Sequence, residues 1–180
     1  MIDGTIILLR PKLTFKTFFT LPVGTLIQLF TGGKVSHVGI YLDKSVAEMT
    51  FHNNFSITTR EERFKQLLKL SNSQDIFIMT PYIALTESQL NKLRSFNKTQ
   101  KNAIYGIGSA MFTVADRIPL LNKINWGRKR IACSIYVCSA LQAIGIIKPE
   151  IDPFKINPNE LVSLLKRSGF YGQEEKIIIN

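Results

Sequence analysis

Two apolar runs, Val35 to Leu42 (VSHVGIYL) and Val46 to Phe51 (VAEMTF), stand only a few residues apart, and this closeness constrains the fold more than any other stretch. Strands so near in sequence pair as an antiparallel hairpin. With Leu42-Asp43-Lys44-Ser45 as a four-residue loop, Tyr41 faces Val46, Gly39 faces Glu48 and His37 faces Thr50. His37 and Glu48 then lie diagonally on one face, with Cβ atoms somewhat under about 7–8 Å apart. Gly39 opposite Glu48 leaves room for the two longer side chains to approach. A slip of one residue would turn Glu48 to the other face. His52 has the parity of Glu48 and is its rival as the partner of His37. Alone, a strand histidine is commonly a half-buried ring satisfied by a carbonyl. A carboxylate beside it would orient the ring and stabilise its protonated form.

The remaining pattern places strands early and helices late. Thr5 to Leu9 (TIILL) is a buried strand ended by Arg10-Pro11, and Ile76 to Met79 is another, closed by Pro81. Leu21 to Phe30 forms a short helix, and Arg60 to Leu70 a second with Phe64, Leu67 and Leu68 on one face. Thr86 and Gln89 make a capping box for a helix carrying Leu90, Leu93 and Phe96. Ile104 to Leu121 is apolar and helical, with a break at Pro119. Ile131 to Ile144 is a helix stopped by Gly145, Pro158-Asn159-Glu160 starts the last one, and Ile177 to Ile179 is a terminal strand. This segregation predicts an α+β fold, and 180 residues without a long linker predict a single domain.

The chain has two cysteines, Cys133 and Cys138. On one helix, a five-residue offset turns them about 140° apart, so they do not bridge each other. Cys133 lies at the helix start, just after Arg128-Lys129-Arg130. The helix dipole and the basic run both favour a thiolate, the form that attacks carbonyl carbon. Cys138 falls on the apolar face, where cysteine behaves as a small hydrophobe. A nucleophilic thiol needs a base, and His37 and His52 are the chain's two histidines.

Charge and motifs exclude several classes. With 23 Lys+Arg against 13 Asp+Glu, the net charge of +10 admits an anionic partner such as nucleic acid or a phospholipid surface. The basic residues Lys65, Lys69, Lys92, Lys98 and Lys101 are scattered with few aromatics between them, so no stacking platform for nucleic acid is visible. Two histidines and cysteines five apart give neither HExxH nor CxxC spacing, and there is no phosphate-binding glycine motif, so neither metal nor cofactor is expected. No run reaches the roughly 20 apolar residues of a spanning helix. Asp3 and the missing basic n-region argue against a secretory signal, which gives a cytoplasmic expectation.

At this point the motifs carry a resemblance. Asp3-Gly4-Thr5-Ile6-Ile7, then Thr31-Gly32-Gly33-Lys34-Val35-Ser36-His37-Val38-Gly39-Ile40-Tyr41, resembles the permuted NlpC/P60 (YiiX-like) papain-like hydrolases. That family continues from a GD-type strand to an SHVGIY strand and then to a helix beginning CSxxVxxAL. Cys133-Ser134-Ile135-Tyr136-Val137-Cys138-Ser139-Ala140-Leu141 fits the last of these throughout. Tyr105 sits where the family has a tyrosine before the helix, and Ile156-Asn157-Pro158-Asn159-Glu160-Leu161 is similar to its sPndL turn. Asp3-Gly4 inverts the family's Gly-Asp order, and Gly106 follows Tyr105 where an acidic residue is common.

The resemblance implies a circularly permuted papain-like fold, an antiparallel sheet packed against helices, with Cys-then-His order reversed. It makes Cys133 the nucleophile, His37 the general base and Glu48 the group that orients His37. It also makes Tyr105 a hydroxyl lining the substrate site beside the Cys133 amide. A thiol hydrolase cleaving an amide or ester follows, on a peptide, amide or lipid-ester substrate. The alternatives are a lipid-directed acyltransferase or phospholipase of the same fold, touching membrane through Phe15 to Phe30, and a non-catalytic basic binding module.

Overall fold

A computed structural model describes residues 1–12, 28, 32–50, 54–105 and 130–178. The sheet is built from β1 (Ile6–Pro11), β2 (His37–Leu42), β3 (Ser45–Thr50), β4 (Asn54–Thr59), β5 (Gln74–Met79) and β8 (Glu175–Ile177), in the order β4-β3-β2-β1-β5-β8. Every pairing in it is antiparallel. Two short strands, β6 (Ile104–Tyr105) and β7 (Arg130–Ile131), pair in parallel apart from it. Four helices are described: α1 (Arg60–Lys69), α2 (Glu87–Thr99), α3 (Cys133–Ala143) and α4 (Pro158–Ser168). The fold is α+β, as the segregation of patterns predicts. None of the described helices is long and apolar enough to cross a membrane.

Strand β1 is covered on both faces, which explains its unbroken apolar run. Ile6 and Leu8 join Val38, Ile40, Met49 and Met79 in the larger core with Tyr136, Val137 and Leu141 of α3 and Leu161 and Leu165 of α4. Ile7 and Leu9 turn the other way, toward Tyr41, Val46, Ile76 and Leu67 of α1. The period-two alternation therefore feeds two cores from one strand.

The hairpin has the predicted register, with Gly39 opposite Glu48 and Tyr41 opposite Val46. Its connection is tighter than the expected four-residue loop. Leu42 pairs with Ser45, leaving only Asp43 and Lys44 to turn, at φ 50° and 60°. Two successive left-handed residues match the right-handed strand twist, as in a type I′ turn, with Asp43 a favoured first residue and Lys44 standing where glycine is usual. A four-residue loop and this two-residue turn share one register because each keeps Leu42 opposite Ser45.

Other boundaries shift for local reasons. Helix α3 begins at Cys133 rather than Ile131, because Arg130 and Ile131 are drawn into β7 beside Ile104 and Tyr105. It ends in a Schellman closure: the Ile146 amide donates to the Leu141 carbonyl and the Gly145 amide to Gln142. Ile104 and Tyr105 are strand rather than the start of a helix. The rest of that apolar stretch lies outside the described residues, as does the expected Leu21 to Phe30 helix apart from Gln28. The terminal strand is Glu175–Ile177, two residues earlier than expected, and it pairs with β5. The Thr86–Gln89 capping box forms as predicted.

Helix α4 fixes the approach to β2. Asn157 accepts from the Asn159 and Glu160 amides, and the Asn157 amide donates to the Glu160 carboxylate. Asn159 meanwhile accepts from the Val35 amide at 2.8 Å and donates to the Val35 carbonyl at 3.0 Å, two residues before His37. A Cβ on Gly33 would collide with the Asn159 side chain, which is held by its two bonds to Val35, so glycine fits there. Replacing the buried cap, Asn157→Ala, is expected to cost about 0.5–2 kcal/mol by orphaning two helix amides. Urea denaturation should show this as a lower midpoint at unchanged slope.

Candidate active site

The site forms where β2 and α3 begin beside the middle of β3. His37 opens β2, Glu48 lies on β3 and Cys133 opens α3. Cys133 stands next to the short β6–β7 ladder, which pairs Tyr105 with Ile131. Thus the expected residues Cys133, His37, Glu48 and Tyr105 come together from distant parts of the chain.

His37 Nε2 lies 2.6 Å from Glu48 Oε2. The diagonal placement on the hairpin makes this contact, and Gly39 opens the space for it. A Cβ at position 39 would press to 3.3 Å on Glu48 Cβ and on Val46 Cγ1. With Nε2 engaged, Nδ1 is the ring nitrogen left for a second partner. The thiol of Cys133 lies within hydrogen-bonding reach of the ring. Burial disfavours the imidazolium, but the contacts with Cys133 and then Glu48 outweigh it and raise His37 to about 9. The imidazole side chain keeps 17% of its surface exposed, so solvent reaches the pair from that side.

Glu48 is buried, with 3% of its side chain exposed, which would ordinarily push a carboxyl up. Its bonds to His37 and Arg63 overcome that burial and hold it below the usual value. Arg63 is the member of the site that sequence reasoning misses. From α1 it places Nε 2.7 Å from Glu48 Oε1, and Nη2 donates to Oε2 at 2.9 Å. This two-pronged geometry ties both carboxylate oxygens. The signal that could have found it is the buried carboxylate itself, which demands a cation beyond a histidine that titrates.

Cys133 is buried, and Ala132 before it gives α3 no side-chain cap. The absence of a cap leaves the first-turn amides to groups other than a side chain, at the positive end of the helix dipole. Tyr105 is buried beside the thiol; burial, and secondarily Cys133, hold its phenol well above its ordinary value. Its amide donates to Asn54 Oδ1 at 3.0 Å, and Asn54 occupies the left-handed region at φ 56°. Cys138 lies in the core, where burial pushes its thiol up to about 12, with Asp152 adding to the effect. Tyr136, one turn into α3, donates to Asn97 Oδ1 at 2.7 Å and pins α2 to the helix that carries the thiol. His52, the rival for the third position, and Arg128 and Lys129, expected to favour the thiolate, lie outside the described residues.

No family model matches the chain, and none of the curated proteins matches it. Among solved structures it is similar to the crystal structure of the metalloprotein YiiX from Escherichia coli O157:H7. The TM-score is 0.55 at 17% identity, covering 99% of this chain and 97% of that one. This likeness shows a YiiX-like fold. That protein is described as a metalloprotein, so the donor set here bears on the comparison. Among the described residues no three His, Cys, Asp or Glu side chains stand together in a way that could hold a metal. At Glu48 the Arg63 guanidinium already takes the place a cation would occupy. These residues do not fit a metal.

Proposed function

We propose that this YiiX-like chain is a thiol hydrolase that cleaves an amide or ester through a covalent acyl-enzyme at Cys133. The observation that carries this reading is His37 held between Glu48 at 2.6 Å and the thiol at the start of α3. The permuted papain-like order, with base on an early strand and nucleophile on a late helix, supports it.

The sulfur attacks the carbonyl carbon as a thiolate, a C–S bond forms, and the carbonyl electrons move to oxygen. Amides in the first turn of α3, with Tyr105 alongside, face the place where that negative charge develops. Collapse of the adduct breaks the bond to the leaving nitrogen or oxygen, which takes its proton from the His37 imidazolium. In the second half, neutral His37 takes a proton from water as the hydroxyl oxygen attacks the thioester. The acid product leaves, and the sulfur and imidazole return to their starting state. Glu48 keeps the ring oriented throughout and remains ionised.

The test uses p-nitrophenyl acetate and iodoacetamide at neutral pH on the folded protein. Wild type should release a burst of nitrophenolate, leave an acetyl group on the Cys133 peptide, and be alkylated at Cys133 alone. Cys133→Ala should lose the burst and remain unalkylated although Cys138 is intact. Equal labelling of the two proteins would remove Cys133 as the nucleophile.

A further inference from the structure

The least expected feature of the site is the third charge. A histidine and a carboxylate alone would suffice to orient an imidazole, yet the carboxylate here is gripped from behind by Arg63, which is itself held. Its Nη1 donates to Gln66 Oε1 at 3.2 Å, one turn along α1. The guanidinium side chain is 13% exposed, so the pair is shielded from solvent screening. Helix α1 starts at a fixed point, with Thr59 capping the Glu62 amide and the Arg60 amide bonded to the Lys44 carbonyl at the hairpin turn. The guanidinium is therefore delivered to β3 by a helix anchored at both its cap and the hairpin tip.

Two consequences follow from a fixed cation behind Glu48. First, the carboxylate cannot rotate without breaking two charge-assisted bonds, so the oxygen facing His37 stays where it is. Second, the negative charge is shared. A buried carboxylate whose only partner is histidine would hold the imidazolium so tightly that proton donation to a leaving group is opposed. A permanent positive charge on the far side weakens that hold and also repels the imidazolium directly. We propose that Arg63 is a positioning residue of the site, which locks Glu48 ionised and oriented while keeping the His37 proton transferable.

This inference rests on the reading of Cys133 and His37 as nucleophile and base. The charged and titratable groups around the pair, among the described residues, are Cys133 and Tyr136 from α3, Arg63 from α1, and Tyr105 from β6 beside the thiol. Tyr105 and Tyr136 are both held above their ordinary values by burial first, so Arg63 is the group whose removal changes the charge facing Glu48 near neutrality.

The experiment follows the His37 ring-proton resonance by NMR from acid to alkaline pH in wild type, Arg63→Gln and Arg63→Lys, with iodoacetamide rates at Cys133 in parallel. Losing the distant positive charge should move the imidazolium midpoint upward from near 9, by roughly one unit. Ester turnover in Arg63→Gln should fall by at least tenfold while Cys133 still forms its acetyl adduct, because a more tightly held imidazolium leaves less neutral His37 to take the proton from water in the second half-reaction. Arg63→Lys keeps the charge and loses the fork, so its midpoint should stay near that of wild type while turnover falls by a few fold. If Arg63→Gln does not fold by circular dichroism, Arg63→Lys decides alone: turnover equal to wild type overturns the proposal. An unmoved midpoint in folded Arg63→Gln also overturns it. The underlying reading fails differently, through a wild-type Cys133 that reacts no faster than Cys138.

Discussion

His37→Ala is expected to slow ester turnover at neutral pH by about 10²–10⁴-fold, the range a positioned acid–base group commonly supplies. On the proposed mechanism the alanine removes both the acid that protonates the leaving group and the base that activates water, so both half-reactions suffer. His52→Ala should leave the rate near wild type, and the reverse outcome would transfer the base role to His52. The same substitution reports on stability. The folded protein holds the His37 imidazolium to about 9, above the 6.5 of the free side chain. A raised value in the folded state means that folding binds a proton more tightly than the unfolded chain does. The contribution is therefore complete below about 6.5 and is lost as pH rises through about 9. Denaturant midpoints of wild type should decline across that window, and those of His37→Ala should lack this decline.

Glu48→Ala is the substitution expected to cost the fold most, on the order of 3 kcal/mol, because it strips a half-buried guanidinium of its counter-charge. It also leaves His37 Nε2 without its 2.6 Å partner and opens a void opposite Gly39. Glu48→Gln should cost less, since an amide oxygen still accepts from Arg63. The acid limb distinguishes these variants from a simple packing defect. Glu48 is held below its ordinary 4.5 in the folded state, so its contribution is present above that value and disappears as pH falls through its lowered folded value. The stability gap between wild type and each variant, read from denaturant midpoints by circular dichroism, should narrow as pH falls through the lowered Glu48 value, whereas a packing defect would leave it constant. A constant gap would mean that Glu48 is not ionised in the folded protein.

The hairpin and helix parities were legible because they are local. Period two across a short connection puts His37, Gly39 and Glu48 on one side whether the turn has two residues or four, so the register survives an error in the loop. The tight turn was harder to read, since Asp43 and Lys44 lack the glycine that usually announces left-handed backbone. Strand β4 was missed despite its β-branched Ile57, Thr58 and Thr59. It lies at the sheet edge with Ile57 half exposed, so the alternation that marks a buried strand is blurred. Arg63 was illegible for a deeper reason. On α1, beside Glu61 and Glu62, it has the pattern of a solvated helix face. What makes it a site residue is a demand from a carboxylate on another strand, and such a demand appears only when the strands are in place.

The turn at Asp43 and Lys44 also sets an order of assembly. Because it closes with so few residues, His37, Glu48 and Arg63 all fall within one unbroken stretch, β2-β3-β4-α1, whose contacts are near in sequence. Contacts of that kind form early and at low loop-closure cost. The sulfur comes from much further along the chain and can dock only after the sheet exists. The histidine–carboxylate–guanidinium unit is thus self-contained, and the Cys133 thiol is an addition to it. Exchange of Cys133 should therefore leave the Glu48–Arg63 ion pair, and the folding of the half of the chain that builds it, as they were, while His37 relaxes toward its ordinary value.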